Sequence, residues 1–189
     1  MNGKLLQLRP AAGVDDLGDE ALAAACATGD HAAQSLLFER HVDAVYRFIA
    51  RMRGSDTAAV DDIVQATFIA AFQSAGQFRG EKLQSWLFGI AANVLRSYVR
   101  REVARKRIAT ELADEPAPER VVTDSADVEK LRTAIAALPR KLREVLVLVD
   151  LEGESGASTA AALRISEGTV WRRLADARAA LRDALGGSR

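Results

Sequence analysis

The chain is predicted to be all-helical, with two small helical domains joined by an acidic linker. Three observations carry that expectation. The composition is 49% hydrophobic yet only 5% aromatic, with four prolines. Apolar residues recur at three- and four-residue spacing along most of the chain. The stretch 110–126, TELADEPAPERVVTDSA, breaks that rhythm and holds two of the four prolines. The predicted organisation is a disordered leader over 1–16, a helical domain over 17–108, the linker over 109–127 and a second helical domain over 128–185.

Each element has a local reason. Asp19 can cap a helix over Glu20–Thr28, which Gly29 ends. Asp30 starts the next, with Ala33, Leu36, Leu37, Val45, Phe48 and Ile49 on one stripe. Gly54-Ser55 breaks the chain, and a third helix begins near Ala58 and runs through Ile63, Val64, Phe68 and Phe72. Gly76 and Gly80 bracket a short loop, QFRGEKLQ. A fourth helix carries Trp86, Leu87, Ile90, Ala91, Val94 and Tyr98 on its apolar side. Asn93, Arg96, Ser97 and Arg100 lie opposite, in a polar strip that extends through Arg101, Arg105, Lys106 and Arg107.

Residues 151–185 read as a helix-turn-helix. Ala160 is small where two helices cross, and Leu163 and Val170 supply their shared core. Ser166 can cap the second helix, with Thr169 in its first turn. Val170, Leu174, Ala177, Leu181 and Leu185 form a stripe expected to be buried, leaving Trp171, Arg172, Ala175, Asp176, Ala179 and Arg182 outward. Such a helix suits a major groove, although an ordinary helical hairpin shares the pattern.

Charge distribution says more than net charge, which is zero. Six basic residues between Arg96 and Arg107 face Glu102 alone, and seven acids between Glu111 and Glu129 face Arg120 alone. The basic run can contact phosphate or be a solvated face. The acidic segment can be a solvated tether or lie against a basic surface. Several classes are excluded. Cys26 is the single cysteine, so no internal disulfide or cysteine-cluster zinc site is possible. His31 and His41 lack paired carboxylates at metal-ligand spacing, and no phosphate loop or nucleophile motif occurs. No metal, cofactor or catalysis is expected. No apolar run reaches membrane-spanning length and no signal-peptide core is present, so a cytoplasmic protein is expected.

Two blocks then carry a resemblance. The first is VDDIVQATFIAAF at 60–72, with FRG at 78–80 and SWLFGIAANVLRSYVRR at 85–101. The second is ALPRKLREVLVLVDLEG at 137–153, with ISEGTVWRRLADARAAL at 165–181. In order and separation they resemble the extracytoplasmic-function (ECF) sigma factors, promoter-specificity subunits of bacterial RNA polymerase. The resemblance implies a four-helix region 2 that docks on the polymerase clamp and opens the minus-ten element. It implies a region 4 that reads the minus-thirty-five element. Partners would be core RNA polymerase, promoter DNA and an anti-sigma factor, the free chain being a monomer or 1:1 with its inhibitor. Core enzyme would supply most of the electrostatic affinity for DNA, consistent with zero net charge.

Carried over by position, Asp62, Gln65 and Phe68 match the clamp-binding block. Asp62 and Gln65 share a helix face, though Asp61 and Asp62 in a first turn would also favour the helix dipole, and Phe68 suits a core. The loop Phe78, Arg79, Gly80, Glu81, Lys82 and Gln84 matches the segment that receives an unstacked base, and without the resemblance it reads as a plain turn. Trp86 suits core packing better than stacking. Asn93, Arg96, Arg100 and Arg101 match the helix approaching the separated strands. Ser166, Thr169, Trp171, Arg172, Arg173, Asp176 and Arg178 match the minus-thirty-five surface.

Here the chain departs from the usual pattern. Trp171 and Asp176 stand where bases are usual, Ser158-Thr159 replaces Glu-Ile, and Arg164 replaces Gly. Asp176 can repel phosphate or select a cytosine amino group, and Trp171 can meet a thymine methyl or the sugar backbone. Arg178 lies toward the flank, where Asp176 or core enzyme can pair with it. A stand-alone helix-turn-helix regulator would leave the 60–101 block unexplained.

Overall fold

The computed structural model describes residues 17–53, 57–79, 82–109 and 126–186, which are helical apart from their connections. The expected leader, Gly80, Glu81 and nearly all of the expected linker fall outside them. The helices are α1 (Asp19–Ala27), α2 (His31–Arg53), α3 (Thr57–Ser74), α4 (Leu83–Ala109), α5 (Ala126–Ala137), α6 (Arg140–Leu146), α7 (Gly156–Leu163) and α8 (Glu167–Ala184). A 3-10 turn at Ala75–Gln77 ends α3, and a π turn at Val147–Leu151 ends α6.

Local chemistry sets most boundaries. Asp30 Oδ1 accepts the N–H groups of Ala32 and Ala33 at 2.8 and 3.2 Å, capping α2 as its sequence position suggests. Ser155 caps α7 through Ser158 N–H, and Ser166 caps α8 through Thr169 N–H at 3.2 Å. Asp19 does something else. Gly18 is the N-cap of α1, and Asp19 Oδ2 accepts the Leu83 N–H at 2.8 Å, 64 residues away. The carboxylate that reads as a local cap therefore satisfies the first turn of α4 and ties α1 to it.

Helices α1–α4 enclose Leu22, Leu37, Val45, Phe48, Ile49, Ile63, Leu83 and Phe88, all fully buried. Phe48 and Phe88 meet with ring centroids 5.3 Å apart. Cys26 lies in this core, and burial pushes its thiol up to about 11, so it is not a thiolate at neutral pH. In the second half Val145, Leu148, Leu163, Val170, Leu174 and Ala177 pack between α6, α7 and α8. The end of the expected α8 stripe differs: Leu181 is half-buried and Leu185 is exposed, because α8 outruns the short helices beneath it.

The two halves share one continuous core. The face of α4 carrying Gly89 and Arg96 packs against α7 and Glu144. Phe88, Ala92 and Leu95 are buried beside Leu87 and Ala91, while Trp86, Ile90, Val94 and Tyr98 are only half-buried. The expected one-sided stripe is therefore wider than amphipathic spacing alone suggests.

His41 gives a pH prediction. Burial lowers its pKa, outweighing the opposing pull of Asp19, and its Nε2 is buried without a hydrogen-bond partner. The folded chain thus favours neutral imidazole. Its contribution is fully present above the ordinary histidine value of 6.5 and is lost as pH falls below it. Stability should drop by up to about 1.4 kcal/mol per pH unit in that window. Denaturant titrations at several pH values should show a shallower drop for His41→Gln. An identical slope in the variant would place the proton uptake elsewhere.

Candidate nucleic-acid interface

Three outward surfaces hold most of the residues singled out by sequence, and one internal contact joins the halves behind them. The first surface is on α3. Asp62 and Gln65 are exposed, and Ile69, one turn further along the same face, is 49% exposed. Helix α3 starts at Thr57, so Asp61 and Asp62 lie beyond its first turn. The dipole reason for acids there is correspondingly weak. Phe68 is 2% exposed, its ring 4.8 Å from Phe38 in an edge-on contact. Phe38 is the ring that reaches solvent, at 41% exposure. Sequence reasoning missed Phe38 and Ile69, although the 62/65/69 spacing was available as a signal.

The second surface surrounds the loop before α4. Phe78 is buried and meets Trp86 edge-on at 5.6 Å, so both rings serve packing. Arg79 is exposed and donates to the carbonyls of Gly76 and Phe78, each at 2.8 Å. Lys82 is exposed and Gln84 half-buried, while Gly80 and Glu81 lie outside the described residues. A shallow hollow beside the loop is lined by Ala23, Ala27, Ala75, Gly76, Phe78 and Arg79. Along α4, Asn93, Arg100 and Arg101 are exposed. Glu102, the lone acid of the basic run, pairs with Arg53 at 2.9 Å. It is directed into the fold, and the outward strip stays cationic.

The third surface is on α8. Trp171, Arg172 and Asp176 are exposed, and Thr169 and Arg173 are half-buried. The Ser166 and Thr169 hydroxyls lie 2.8 Å apart within the cap. Trp171 donates its indole N–H to Glu167 at 3.3 Å and lies over Gly156, where a Cβ would come within 2.5 Å of the ring. A glycine in α7 thus makes room for the tryptophan of α8. Arg178 pairs through two contacts, 2.6 and 3.0 Å, with Asp150 rather than with Asp176. Asp176 makes no ion pair among the described residues. Arg164 adopts left-handed backbone at φ 55 as the C-cap of α7.

The internal contact has no counterpart in the sequence reading. The π turn puts the Glu152 N–H on the Val147 carbonyl at 2.9 Å and swings the following residues toward the first half. Glu152, its side chain 2% exposed, pairs with Arg51 and, at 3.6 Å, with Arg47, both on α2. Burial pushes its carboxyl up from the usual value, and the two guanidiniums pull it partly back. Glu154 accepts the Ser85 hydroxyl at 2.6 Å. Arg143 donates to the Met52 carbonyl at the end of α2 and to the Leu138 and Ala136 carbonyls, and burial lowers its pKa. Glu144 holds Arg96 at 3.5 Å and also Arg140. At Gly89 a Cβ would lie 2.8 Å from the Ala162 carbonyl oxygen. An isolated glycine inside a helical pattern was the available signal for so close an approach.

Among the described residues no group of three or more His, Cys, Asp or Glu side chains is placed to hold a metal ion. No helix among them is long and apolar enough to cross a membrane.

Comparison with known proteins agrees with the arrangement. The sigma-70 region 2 family matches residues 37–105 and the sigma-70 region 4 family matches 128–181. The ECF RNA polymerase sigma factor SigE of Mycolicibacterium smegmatis is 36% identical over 84% of this chain, which spans 65% of that longer relative. RNA polymerase sigma factor NccH of Alcaligenes xylosoxydans is 37% identical, over 86% of this chain and 92% of its own. The solved structure of CnrH in complex with the cytosolic domain of CnrY superposes with a TM-score of 0.67 at 30% identity, covering 90% of this chain and 99% of CnrH. Sigma factor RpoE in complex with the anti-sigma factor NepR, from Bartonella quintana, gives the same TM-score at 25% identity, over 80% of this chain and 96% of RpoE. With both sigma regions matched in order and relatives that align over most of its length, the chain belongs to the ECF sigma factors of bacterial RNA polymerase and acts in transcription initiation.

Proposed function

We propose that this sigma factor divides its work among the surfaces described above and that the closed arrangement is its resting form. The α3 face of Asp62, Gln65 and Ile69 meets core polymerase. The loop at 78–84 receives a base from the opened minus-ten element. The exposed strip of α4 follows the separated strands, and the outer face of α8 enters the major groove of the minus-thirty-five element. The domain limits are those expected from sequence: region 2 over 17–108, the acidic linker over 109–127 and region 4 over 128–185. The site of action is the cytoplasm, and the free chain is monomeric.

One observation carries the resting-state reading: α7 and Glu144 cover the side of α4 that holds Gly89 and Arg96. Dimensions support it. A compact chain of 189 residues has a radius of gyration of about 16 Å. The two promoter elements lie roughly 25 base pairs apart, about 85 Å of duplex at 3.4 Å per step. The halves must therefore part before both elements are held. The 16 residues between α4 and α5 can span at most about 55 Å, which together with the halves suffices. The relatives CnrH and RpoE, each solved with a second protein, superpose over both halves at once, so an anti-sigma factor is a fitting partner for the closed form of this chain too.

Reconstitution tests the function. Promoter-specific transcripts are expected when the chain is mixed with bacterial core polymerase, and none from either alone. Specific binding to a promoter duplex by the free chain, with no effect on core, would overturn the proposal.

The α8 surface gives a separate prediction. Asp176→Arg should raise the affinity of the core-bound factor for promoter DNA and steepen its salt dependence by about one unit or slightly more. General gain with loss of promoter choice would mark Asp176 as a reader of a cytosine amino group. Affinity should be measured on a matched and a shuffled duplex across salt. No change in either would mean that Asp176 does not face DNA.

A further inference from the structure

Closing the molecule creates a cleft that neither half possesses alone. It measures about 520 Å³ and is lined by Asn93, Arg96, Ser97 and Arg100 of α4, by Arg140 at the start of α6, and by Arg164 at the end of α7. Four arginines from α4, α6 and the end of α7 thus line one cleft. The acid paired with members of this set is Glu144, which is 3% exposed and bonded to Arg96 and Arg140. Arg100 contacts only the Ser97 hydroxyl, at 3.2 Å, and Arg164 has no side-chain partner among the described residues.

Arg164 sharpens the point. Its left-handed backbone is one that glycine adopts without steric penalty. The carbonyls at the end of α7 are already served by the backbone N–H groups of Arg164 and Ile165, at 3.1 and 3.0 Å. The guanidinium is therefore not needed as a helix cap, and Arg164 is one of the residues lining the cleft. Bringing like charges together opposes closure unless an anion lies between them.

We propose that the cleft is a binding site for a compact oligophosphate, a ligand with two or more linked phosphoryl groups, and that its occupation holds the sigma factor closed. Guanidinium forks suit phosphoryl oxygens, several of which are needed to engage guanidiniums on three helices. The Asn93 amide and Ser97 hydroxyl add neutral hydrogen bonds. No aromatic side chain lines the cleft, so recognition rests on the phosphates and not on a base. Because both halves supply the walls, the ligand binds only the closed form and displaces the equilibrium toward it. It also withdraws Arg96 and Arg100 from DNA, a consequence that rests on the reading of the closed chain as the resting form.

Calorimetric titration with tripolyphosphate, pyrophosphate and orthophosphate at constant ionic strength tests the site. One tripolyphosphate should bind per chain, at least tenfold more tightly than orthophosphate. Arg100→Ala with Arg164→Gly should weaken binding at least tenfold, the glycine relieving the strained backbone. Gly89→Gln, which keeps all four arginines but cannot close, should weaken it as much, and Glu152→Lys serves if that variant is unfolded by circular dichroism. Equal binding by these open variants, or no preference for tripolyphosphate over orthophosphate, would overturn the proposal and leave a cationic strip. Core association separates the two readings. Tripolyphosphate should slow it for the wild-type chain and not for Gly89→Gln. Closure-dependent binding without that slowing would keep the site and refute the resting form.

Discussion

Gly89→Gln is expected to open the molecule while leaving each half folded. A Cβ at this position meets the carbonyl oxygen and Cα of Ala162 at 2.8 and 3.3 Å. Both are backbone atoms on the opposite half, and neither can turn aside as a side-chain tip would. Forcing α4 and α7 apart there should cost about 3 kcal/mol of closure, roughly a hundredfold in the closed–open equilibrium. Within α4 itself the change is favourable, since glutamine exceeds glycine in helix propensity by about 0.5 kcal/mol. Small-angle scattering should report a larger radius of gyration, with unchanged far-ultraviolet circular dichroism. Association with core polymerase should quicken, because the open form is the competent one. A variant as compact as the wild type would show that the halves adjust around residue 89, and the covered α4 face would not control opening.

Asp62→Arg combined with Gln65→Ala should weaken binding to core polymerase by about a hundredfold. Both side chains are exposed on the α3 face, so the free fold loses little. A surface that has accepted a carboxylate meets a cation instead, and reversed charge at an interface costs several kcal/mol. The neighbouring Ile69 and Phe38 should remain as apolar anchors, which keeps the loss finite. Competition against the unmodified chain for core, alongside a circular dichroism control, measures it. Unchanged affinity would remove this face from the interface and transfer attention to other exposed surfaces of the first half.

The two predictions draw on different kinds of information. Asp62 and Gln65 were singled out by their place in a contiguous motif and are exposed, while the outward face of α8 and the caps at Asp30 and Ser166 were legible from short-range spacing. Arg164 in place of glycine was also visible there, as a residue identity; its left-handed backbone came from the structure. Other positions were read locally and resolved otherwise. Asp19 reads as a cap of its own helix, yet its carboxylate finds the Leu83 N–H, since a neighbouring helix end offers the same unsatisfied donor. Phe68, by contrast, reads as core, and packing put it there, beneath Phe38.

By itself the sequence determined that this protein is all-helical, roughly where its helices lie, which sigma regions it carries and which face of α8 is left outward. These follow from residue spacing of three or four and from motifs that are contiguous. Only the tertiary structure decided that Glu152, Glu154, Arg143 and Gly89 join the halves, and that four arginines meet across a cleft. Charged residues and glycines at large sequence separation carry no periodic signature, and each reads alone as solvated surface. Their role depends on a long-range approach of two domains, fixed by the shared apolar core and by the π turn that aims Glu152 and Glu154 at the first half.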